Sequence, residues 1–331
     1  MQKTKFLLNF GIIAGITVFL LITASCERTD YEILDPASAG VWTLFDTNDG
    51  LPGNTVTDIR LDSRNNLWMT FAGQGIAKYS DDIWTSYRTS NSLLLSNLVS
   101  CVAEDDEGRI IIGTALGVSV LSETDTWNSY LDPVIITAVK VASDGSVWIG
   151  TANQGFYVNT GSGFVNTYSD LYKTVNVIEE DASGNIWLGT DYGLIRWNGS
   201  AYSYISTLNG LPANKISALH RDRQNRLWVG TRGGKTVSWF DSNGLHQLPL
   251  LSSKDSCLVN DIFQDRRGDV WIATTADGLI KYDGIISRTY RAAANNKLPE
   301  NTILSIGEDK YGSLWFGLAS KGVVRYTLPI N

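Results

Sequence analysis

Side chains that could carry out acid–base or nucleophilic chemistry are sparse in this sequence. It contains two histidines, His220 and His246. His220, Arg221 and Asp222 match the tripeptide of a protein-kinase catalytic loop, in which the Asp is the catalytic base. However, Asp222 stands at a position where an Asp recurs along the chain, and the residues around it are typical of β-strands. We therefore interpret the tripeptide as a chance match.

Patterns for metal or cofactor binding are also missing from the sequence. Zinc sites need clustered Cys, His or carboxylate ligands, and calcium loops need alternating oxygen donors. The acidic run at residues 104–108 has neither pattern. There is no glycine-rich phosphate loop and no Gly-x-Ser-x-Gly motif. We expect no catalytic residue, no cofactor and no bound metal, and a lyase or hydrolase is the last function that we consider.

The composition predicts a folded all-β chain and argues against nucleic-acid binding. Of the 331 residues, 43% are hydrophobic and 18% are charged, and the formal net charge is -7. No run of Lys or Arg offers the clustered cations that phosphate neutralisation requires. The 11 Trp and 31 Gly residues are typical of short aromatic strands joined by tight turns.

The N-terminal residues predict export from the cytoplasm. Lys3 and Lys5 precede an almost wholly apolar stretch at residues 6–24, which is the order of a secretory signal. Residues 23–26 resemble a bacterial lipobox, although Thr23 replaces the usual Leu, Val or Ile. We expect a signal peptide at residues 1–25, lipid attachment at Cys26 and a tether at residues 26–39, giving an outer-membrane or cell-surface lipoprotein. An uncleaved membrane anchor is the alternative.

The remainder of the chain is built from seven copies of one repeat. Each copy has two apolar residues three apart, an Asp in all but one copy, then Gly or Asn, and then an apolar-Trp-apolar strand. The copies recur every 37 to 44 residues, which suits four short strands and their turns. The Trp position is filled by Trp68, Ile111, Trp148, Trp187, Trp228, Trp271 and Trp315.

Four strands per copy predict one blade of a β-propeller, and seven copies predict a seven-bladed, all-β propeller over residues 40–331. We label the strands A to D from the channel outwards. Only Gly or Asn occurs three residues before the Trp position, as a tight A–B turn with positive φ requires. The repeated Asp is expected to accept backbone N–H bonds in that turn.

The two ends of the repeat region predict how the ring closes. The last copy lacks a strand D, and residues 41–46 (VWTLFD) look like an orphan strand D, with Trp42 and Phe45 matching Trp84 and Tyr87. We expect the N-terminal strand to complete the last blade, which would cover two free sheet edges. Cys101 and Cys257 lie in different repeats, so we expect free buried thiols.

These repeats resemble the bacterial two-component regulator propeller family over residues 41–327. The resemblance rests on Asn-x-Val-x-x-Ile, Asp-x-x-Gly-x-Leu-Trp-x-Gly-Thr and the Gly-Leu-Pro segments at residues 50–52 and 210–212. It implies a sensing ectodomain of the kind found in hybrid histidine kinases, often linked to polysaccharide use in Bacteroidetes-type bacteria. Other members stand alone at the cell surface or belong to secretion machinery. Because the sequence ends at Asn331 with no kinase segment, we expect a binding module of the standalone lipoprotein form.

The B–C turns vary most among the copies and are the candidate binding residues. In an up-and-down blade these turns and the D–A loops share one face, called here the upper face. The residue before the turn Gly is expected to surround the channel mouth and to hydrogen-bond a ligand such as an oligosaccharide. The polar candidates are Gln74, Gln154, Tyr192, Arg232, Asp277 and Lys321, and blade 2 has Leu116. The longer loops at residues 88–96, 207–214, 250–258 and 293–301 are expected on the same face.

A second ring of small polar residues is predicted to line the channel itself, as a structural, water-filled bore. It consists of Thr57, Ser100, Thr137, Asn176, Ser217, Asn260 and, in the last copy, Leu304.

The sequence therefore favours an exported, membrane-anchored propeller that binds a glycan or an envelope protein. The alternative is a structural or assembly subunit of an envelope complex, whose partner docks on the side or on the lower face. A nucleic-acid partner is not expected.

Overall fold

The computed structural model describes residues 40–167, 173–234, 236–249, 258–292 and 298–328. The predicted signal peptide, the tether with Cys26, and Cys257 lie outside these residues. Within them, 28 strands form seven antiparallel sheets of four strands each. Blade 1 consists of β2 to β5, which are Val56–Leu61, Leu67–Phe71, Gly75–Ser80 and Ile83–Tyr87. Blade 2 consists of β6 to β9, which are Val99–Glu104, Ile110–Thr114, Gly117–Leu121 and Trp127–Tyr130. Blade 3 consists of β10 to β13, which are Ile136–Val141, Val147–Thr151, Phe156–Asn159 and Phe164–Thr167.

The next three blades, 4 to 6, have the same order of strands A to D. Blade 4 consists of β14 to β17, which are Val175–Glu180, Ile186–Thr190, Leu194–Trp197 and Tyr202–Ile205. Blade 5 consists of β18 to β21, which are Ile216–Arg221, Leu227–Thr231, Thr236–Asp241 and Gly244–Pro249. Blade 6 consists of β22 to β25, which are Val259–Gln264, Val270–Thr274, Leu279–Tyr282 and Ser287–Tyr290. Single 3₁₀ turns, Thr47–Asp49 and Thr207–Asn209, precede the two Gly-Leu-Pro segments.

Blade 7 is completed by the N-terminal strand. It contains β26 (Ile303–Glu308), β27 (Leu314–Leu318) and β28 (Val323–Thr327), and β1 (Val41–Phe45) pairs with β28 in the strand D position. Trp42 stacks on Phe316 with ring centroids 5.8 Å apart, and Phe45 stacks on Trp315 at 5.4 Å. The predicted seven-bladed propeller and its closure by the N-terminal strand are thus confirmed.

The core of the ring lies between the blades. Strand B is buried at every position in six blades and at four of its five residues in β11, because strands A and C flank it and neighbouring blades cover both faces. Each apolar cluster joins two adjacent blades; one contains Trp271 of blade 6 and Phe316 of blade 7. Burial of each such aromatic side chain removes roughly 150–250 Å² from water.

The A–B turn explains why Asp and Trp recur six residues apart. In blade 6 one oxygen of Asp265 accepts the backbone N–H groups of Arg267 and Asp269, and the other accepts the indole N–H of Trp271 at 2.8 Å. Four other blades repeat the bond to the indole. The Gly or Asn of this turn has positive φ in all seven blades, as expected.

Two blades depart from this turn and show how it is replaced. In blade 2, where Ile111 takes the Trp position, the Arg109 side chain donates to Asp105 at 2.7 Å. In blade 3, the indole of Trp148 donates to the hydroxyl of Ser146, which in turn donates to Asp144. Asp144 therefore serves the turn indirectly.

Candidate functional site

The ring of small polar residues joins each blade to the next. A β-bulge interrupts strand A at this position in every blade, which turns the side chain towards the neighbouring blade. Each side chain then donates to the carbonyl of the first strand A residue in the next blade. The six bonds are Thr57 to Val99, Ser100 to Ile136, Thr137 to Val175, Asn176 to Ile216, Ser217 to Val259 and Asn260 to Ile303.

The junction between blades 7 and 1 is the exception in this ring. Leu304 has no polar group to donate, and the hydroxyl of Ser305 instead lies 3.4 Å from the Val56 carbonyl. The ring lines a channel cavity of about 140 Å³. These residues line the channel as predicted, and their hydrogen bonds give them a structural role between blades.

Below the ring, two carboxylates repeat one another in different blades. Asp58 accepts the Val102 N–H of the next blade at 3.1 Å, and Asp261 accepts the Ile306 N–H in the same way at 2.8 Å. Arg60 stands 3.3 Å from Asp58, and half of its side chain is reached by water because it projects into the channel. Burial raises the pKa of Asp261 to about 6, against the opposing effect of Arg60.

His220 has a structural role in this part of the channel. Its Nε2 accepts the Gln264 N–H of the next blade at 3.0 Å. Burial lowers the pKa of His220 to about 4, so the ring is neutral near pH 7. Asp222 accepts the Trp228 indole and the Arg226 guanidinium in its A–B turn. Asp222 therefore has the turn role of the repeated Asp, and His220 contributes a contact between blades 5 and 6.

Cys101 is free and buried, as predicted, and burial raises the pKa of its thiol to about 12. His246 lies on the outer part of blade 5, where its Nε2 is 2.9 Å from Asp241 and its ring stacks on Trp239. Among the described residues, no group of three or more His, Cys, Asp or Glu side chains could hold a metal ion.

The first residue of each B–C turn borders the channel mouth. In blade 4, Asp191 accepts a hydrogen bond from the ring residue Asn176 at 2.9 Å, and in blade 6, Thr275 donates to the ring residue Asn260 at 3.2 Å. These contacts place the first turn residue directly above the ring.

The last residue of the turn, which the sequence placed at the mouth, faces the outer strand instead. Gln154 accepts a hydrogen bond from the Tyr157 hydroxyl, and the Gln154 carbonyl accepts one from Asn166 in strand D. Asp277 is 1% exposed and pairs at 3.2 Å with Arg291, which follows strand D. The expected ring of final turn residues around the mouth is therefore not formed.

Three further candidates occupy the same outer position. The Gln74 carbonyl accepts from Arg88, which follows strand D of its blade. The Tyr192 carbonyl accepts from the Tyr204 hydroxyl, while the Tyr192 side chain is 60% exposed on the upper face. Lys321 is exposed. The number of residues between strand B and the turn Gly varies, and so their positions could not be aligned from sequence.

Arg232 is the one candidate at the inner position, and it belongs to a group that we call the inner charged cluster: Asn176, Asp191, Lys215 and Arg232. Lys215 Nζ lies 2.9 Å from Asp191 Oδ1. Burial opposes ionisation of Asp191, but hydrogen bonds from Asn176 and Lys215, with the charge of Arg232, hold its pKa below the ordinary value. Asp191 and Lys215 were not predicted from the sequence, because only the bonds to Asn176 reveal the inner position.

In blades 2 and 3, the upper face is apolar. Leu98 and Ile135 precede strand A in blades 2 and 3, and Leu116 lies in the blade 2 turn; their exposed fractions are 58%, 48% and 47%. The first turn residues of these blades are Ala115 and Ala152. We call Leu98, Leu116 and Ile135 the apolar sector, and the upper face is thus apolar at blades 2 and 3 and charged at blades 4 and 5.

The closed ring of four-stranded sheets makes this chain a seven-bladed β-propeller. The model of the two component regulator propeller family matches residues 170–192, 210–233, 253–276 and 297–319, which fall in blades 4 to 7. Histidine kinase P4 of Formosa agariphila is 25% identical over 276 residues, which cover 73% of this chain and 20% of that protein. This chain therefore spans about one fifth of the length of that relative.

Solved structures support the fold. The extracellular domain of the putative hybrid two component system BT3049 from B. thetaiotaomicron has a TM-score of 0.74 and 19% identity, covering 87% of this chain and 42% of that chain. Virginiamycin B lyase from Staphylococcus aureus, with quinupristin, has a TM-score of 0.71 and 13% identity, covering 88% of this chain and 100% of that chain. Propellers similar to this chain thus include extracellular domains of two-component systems. Within the described ranges, no helix has the length and apolar character needed to cross a membrane.

Proposed function

We propose that this chain is a recognition module held outside the cytoplasm, which binds a glycan at the mouth of its upper face. The inner charged cluster carries this proposal. It combines an amide, a carboxylate and two cations at the opening of the channel, and the exposed side chain of Tyr192 follows Asp191 in the same turn. Such groups can donate to and accept from sugar hydroxyls, and an exposed aromatic ring can cover an apolar sugar face.

The placement outside the cytoplasm is supported by the extracellular two-component domains to which the chain is similar. The apolar leader and Cys26 support attachment through a lipid to the outer membrane or cell surface. We propose further that the chain is not an enzyme, because His220 and Asp222 are engaged in contacts of the repeat.

A thermal-shift screen against plant, host and microbial glycans, with peptidoglycan fragments included, tests the proposal. A ligand at 100 times its Kd should stabilise the chain by about 2.7 kcal/mol, which is several degrees for a chain of this size. Tyr192→Ala and Arg232→Ala should abolish the shift. Lys321→Ala is the matched control, because Lys321 is exposed on the same face but belongs to blade 7, whereas the inner charged cluster belongs to blades 4 and 5. A shift that survives both test variants would move the site elsewhere.

A protein partner in the envelope is the second candidate, and the apolar sector favours it. Three exposed aliphatic side chains on neighbouring blades are more typical of a protein contact than of a sugar site. Cross-linking in the envelope should then capture one protein, and Leu98→Asp with Ile135→Asp should prevent capture. The absence of any glycan shift, together with such a capture, would favour an assembly role.

A further inference from the structure

At the mouth positions that the structure describes, charged side chains occur in two neighbouring blades. Two positions in each blade border the opening: the first B–C turn residue and the residue before strand A, whose backbones are bonded in six blades. The turn residues are Ala72, Ala115, Ala152, Asp191, Arg232, Thr275 and Ala319, and those before strand A are Thr55, Leu98, Ile135, Thr174, Lys215, Leu258 and Thr302. Charge therefore occurs only at the mouth positions of blades 4 and 5.

Within the inner charged cluster, the carboxylate of Asp191 already has hydrogen-bond donors. Asp191 accepts hydrogen bonds from Lys215 and Asn176, each at 2.9 Å. Arg232 is held by its backbone, which donates to the Lys215 carbonyl at 2.8 Å and bridges to Leu258 of the next blade. Its side chain is exposed, and within the described ranges no carboxylate pairs with its guanidinium. The cluster therefore has one cation in excess at a fixed place.

The surroundings of Arg232 leave this cation accessible. Gly233 and Gly234 follow it with φ of 138° and 82°, so these two neighbours carry no side chain that could cover the guanidinium. A planar guanidinium matches a carboxylate through two parallel N–H···O bonds, whereas a neutral hydroxyl takes only one. Asp191 faces the same opening and disfavours a second negative charge beyond the one that Arg232 accepts.

We propose that the ligand of the mouth is an acidic saccharide, with a uronic acid carboxylate bound by Arg232 and its hydroxyls bound by Asp191, Lys215 and Asn176. This inference rests on the proposed function and adds the chemical class of the ligand. It also makes Arg232 the member of the cluster that distinguishes acidic from neutral saccharides.

Calorimetric titration of the full chain with matched acid and ester ligands tests the inference. The probes are oligomers of galacturonate, glucuronate and mannuronate and their methyl esters, which keep the sugar backbone and remove the charge. At least one acid should bind about tenfold more tightly than its ester, which corresponds to about 1.4 kcal/mol. The difference should shrink as salt is raised, because the cation is exposed.

Variants assign the difference to Arg232. Arg232→Gln should make the acid and the ester bind equally, and Asp191→Asn, which removes the competing charge, should strengthen binding of the acid. Lys321→Gln should leave both affinities unchanged. Esters or neutral glycans that bind as tightly as the acids would overturn the inference and leave the proposed function standing. A preference for sulfated oligosaccharides would overturn the carboxylate assignment, and no binding by either class would overturn both proposals.

Discussion

Two partly buried groups of adjacent blades should oppose each other's effect on stability as the pH falls. His220 lies on β18 and Asp261 on β22, so they belong to adjacent blades. Burial lowers the pKa of His220 from 6.5 to about 4. Burial raises the pKa of Asp261 from 3.8 to about 6.

The signs of the two effects are opposite. The folded state disfavours protonated His220, so its contribution to stability is lost as the pH falls below 6.5 towards 4. The folded state favours protonated Asp261, so stability is gained as the pH falls through 6 towards 3.8. On going from pH 7 to pH 5, the titration of His220 should lower the free energy of unfolding by about 2 kcal/mol, and that of Asp261 should raise it by about 1 kcal/mol.

Single substitutions of these two residues should therefore change the pH dependence of stability in opposite directions. Relative to the unmodified chain, His220→Gln should gain about 2 kcal/mol on going from pH 7 to pH 5, and Asp261→Asn should lose about 1 kcal/mol. Thermal unfolding at pH 7, 6 and 5 measures this, since each kcal/mol moves the Tm by about 2–4 °C in a chain of this size. Lys321→Gln, far from the channel, should follow the unmodified chain. Parallel Tm profiles for all four proteins would refute the burial argument.

Three further outcomes follow from contacts described above. Asp265→Ala leaves the Trp271 indole and two turn N–H groups without their acceptor, so denaturant unfolding should show a loss of about 2–3 kcal/mol; a loss below about 0.5 kcal/mol would contradict the role of the turn. Leu304→Asn supplies the donor that the seventh junction lacks, and should raise stability by about 1 kcal/mol through a bond to the Val56 carbonyl; an unchanged midpoint would show that Ser305 already suffices. Cys26→Ser should release the chain from the membrane fraction, as measured by detergent partitioning, whereas an uncleaved anchor would keep it there.

The fold could be predicted because the repeat is in phase in all seven copies. The spacing of Asp, Gly and Trp specifies the A–B turn, and the aromatic pair Trp42 and Phe45 is enough to mark the missing strand D. The candidate site was predicted less well. The sequence does not show which end of the B–C turn borders the channel, so Gln154 and Asp277 were placed at the mouth although they face strand D.

Contacts between blades explain the rest of the difference. The small polar ring is visible in the sequence, but each acceptor carbonyl lies 36 to 43 residues further along the chain. Asp191 likewise pairs with a residue of the following blade, Lys215. A local pattern specifies the conformation of a turn, but it does not show which side chain of one repeat reaches the next.

The closure of the ring determines how the protein responds to mechanical load. β1 is the outermost strand of blade 7, and its first residue, Val41, pairs with Thr327 at the end of β28. A force applied at Gly40 therefore reaches the Val41–Thr327 pair before the other pairs of this strand. The junction between blades 7 and 1 is also the one where Leu304 takes the place of the small polar donor that the other junctions have. Tension on the N-terminus is thus carried first by the five-residue strand that completes blade 7.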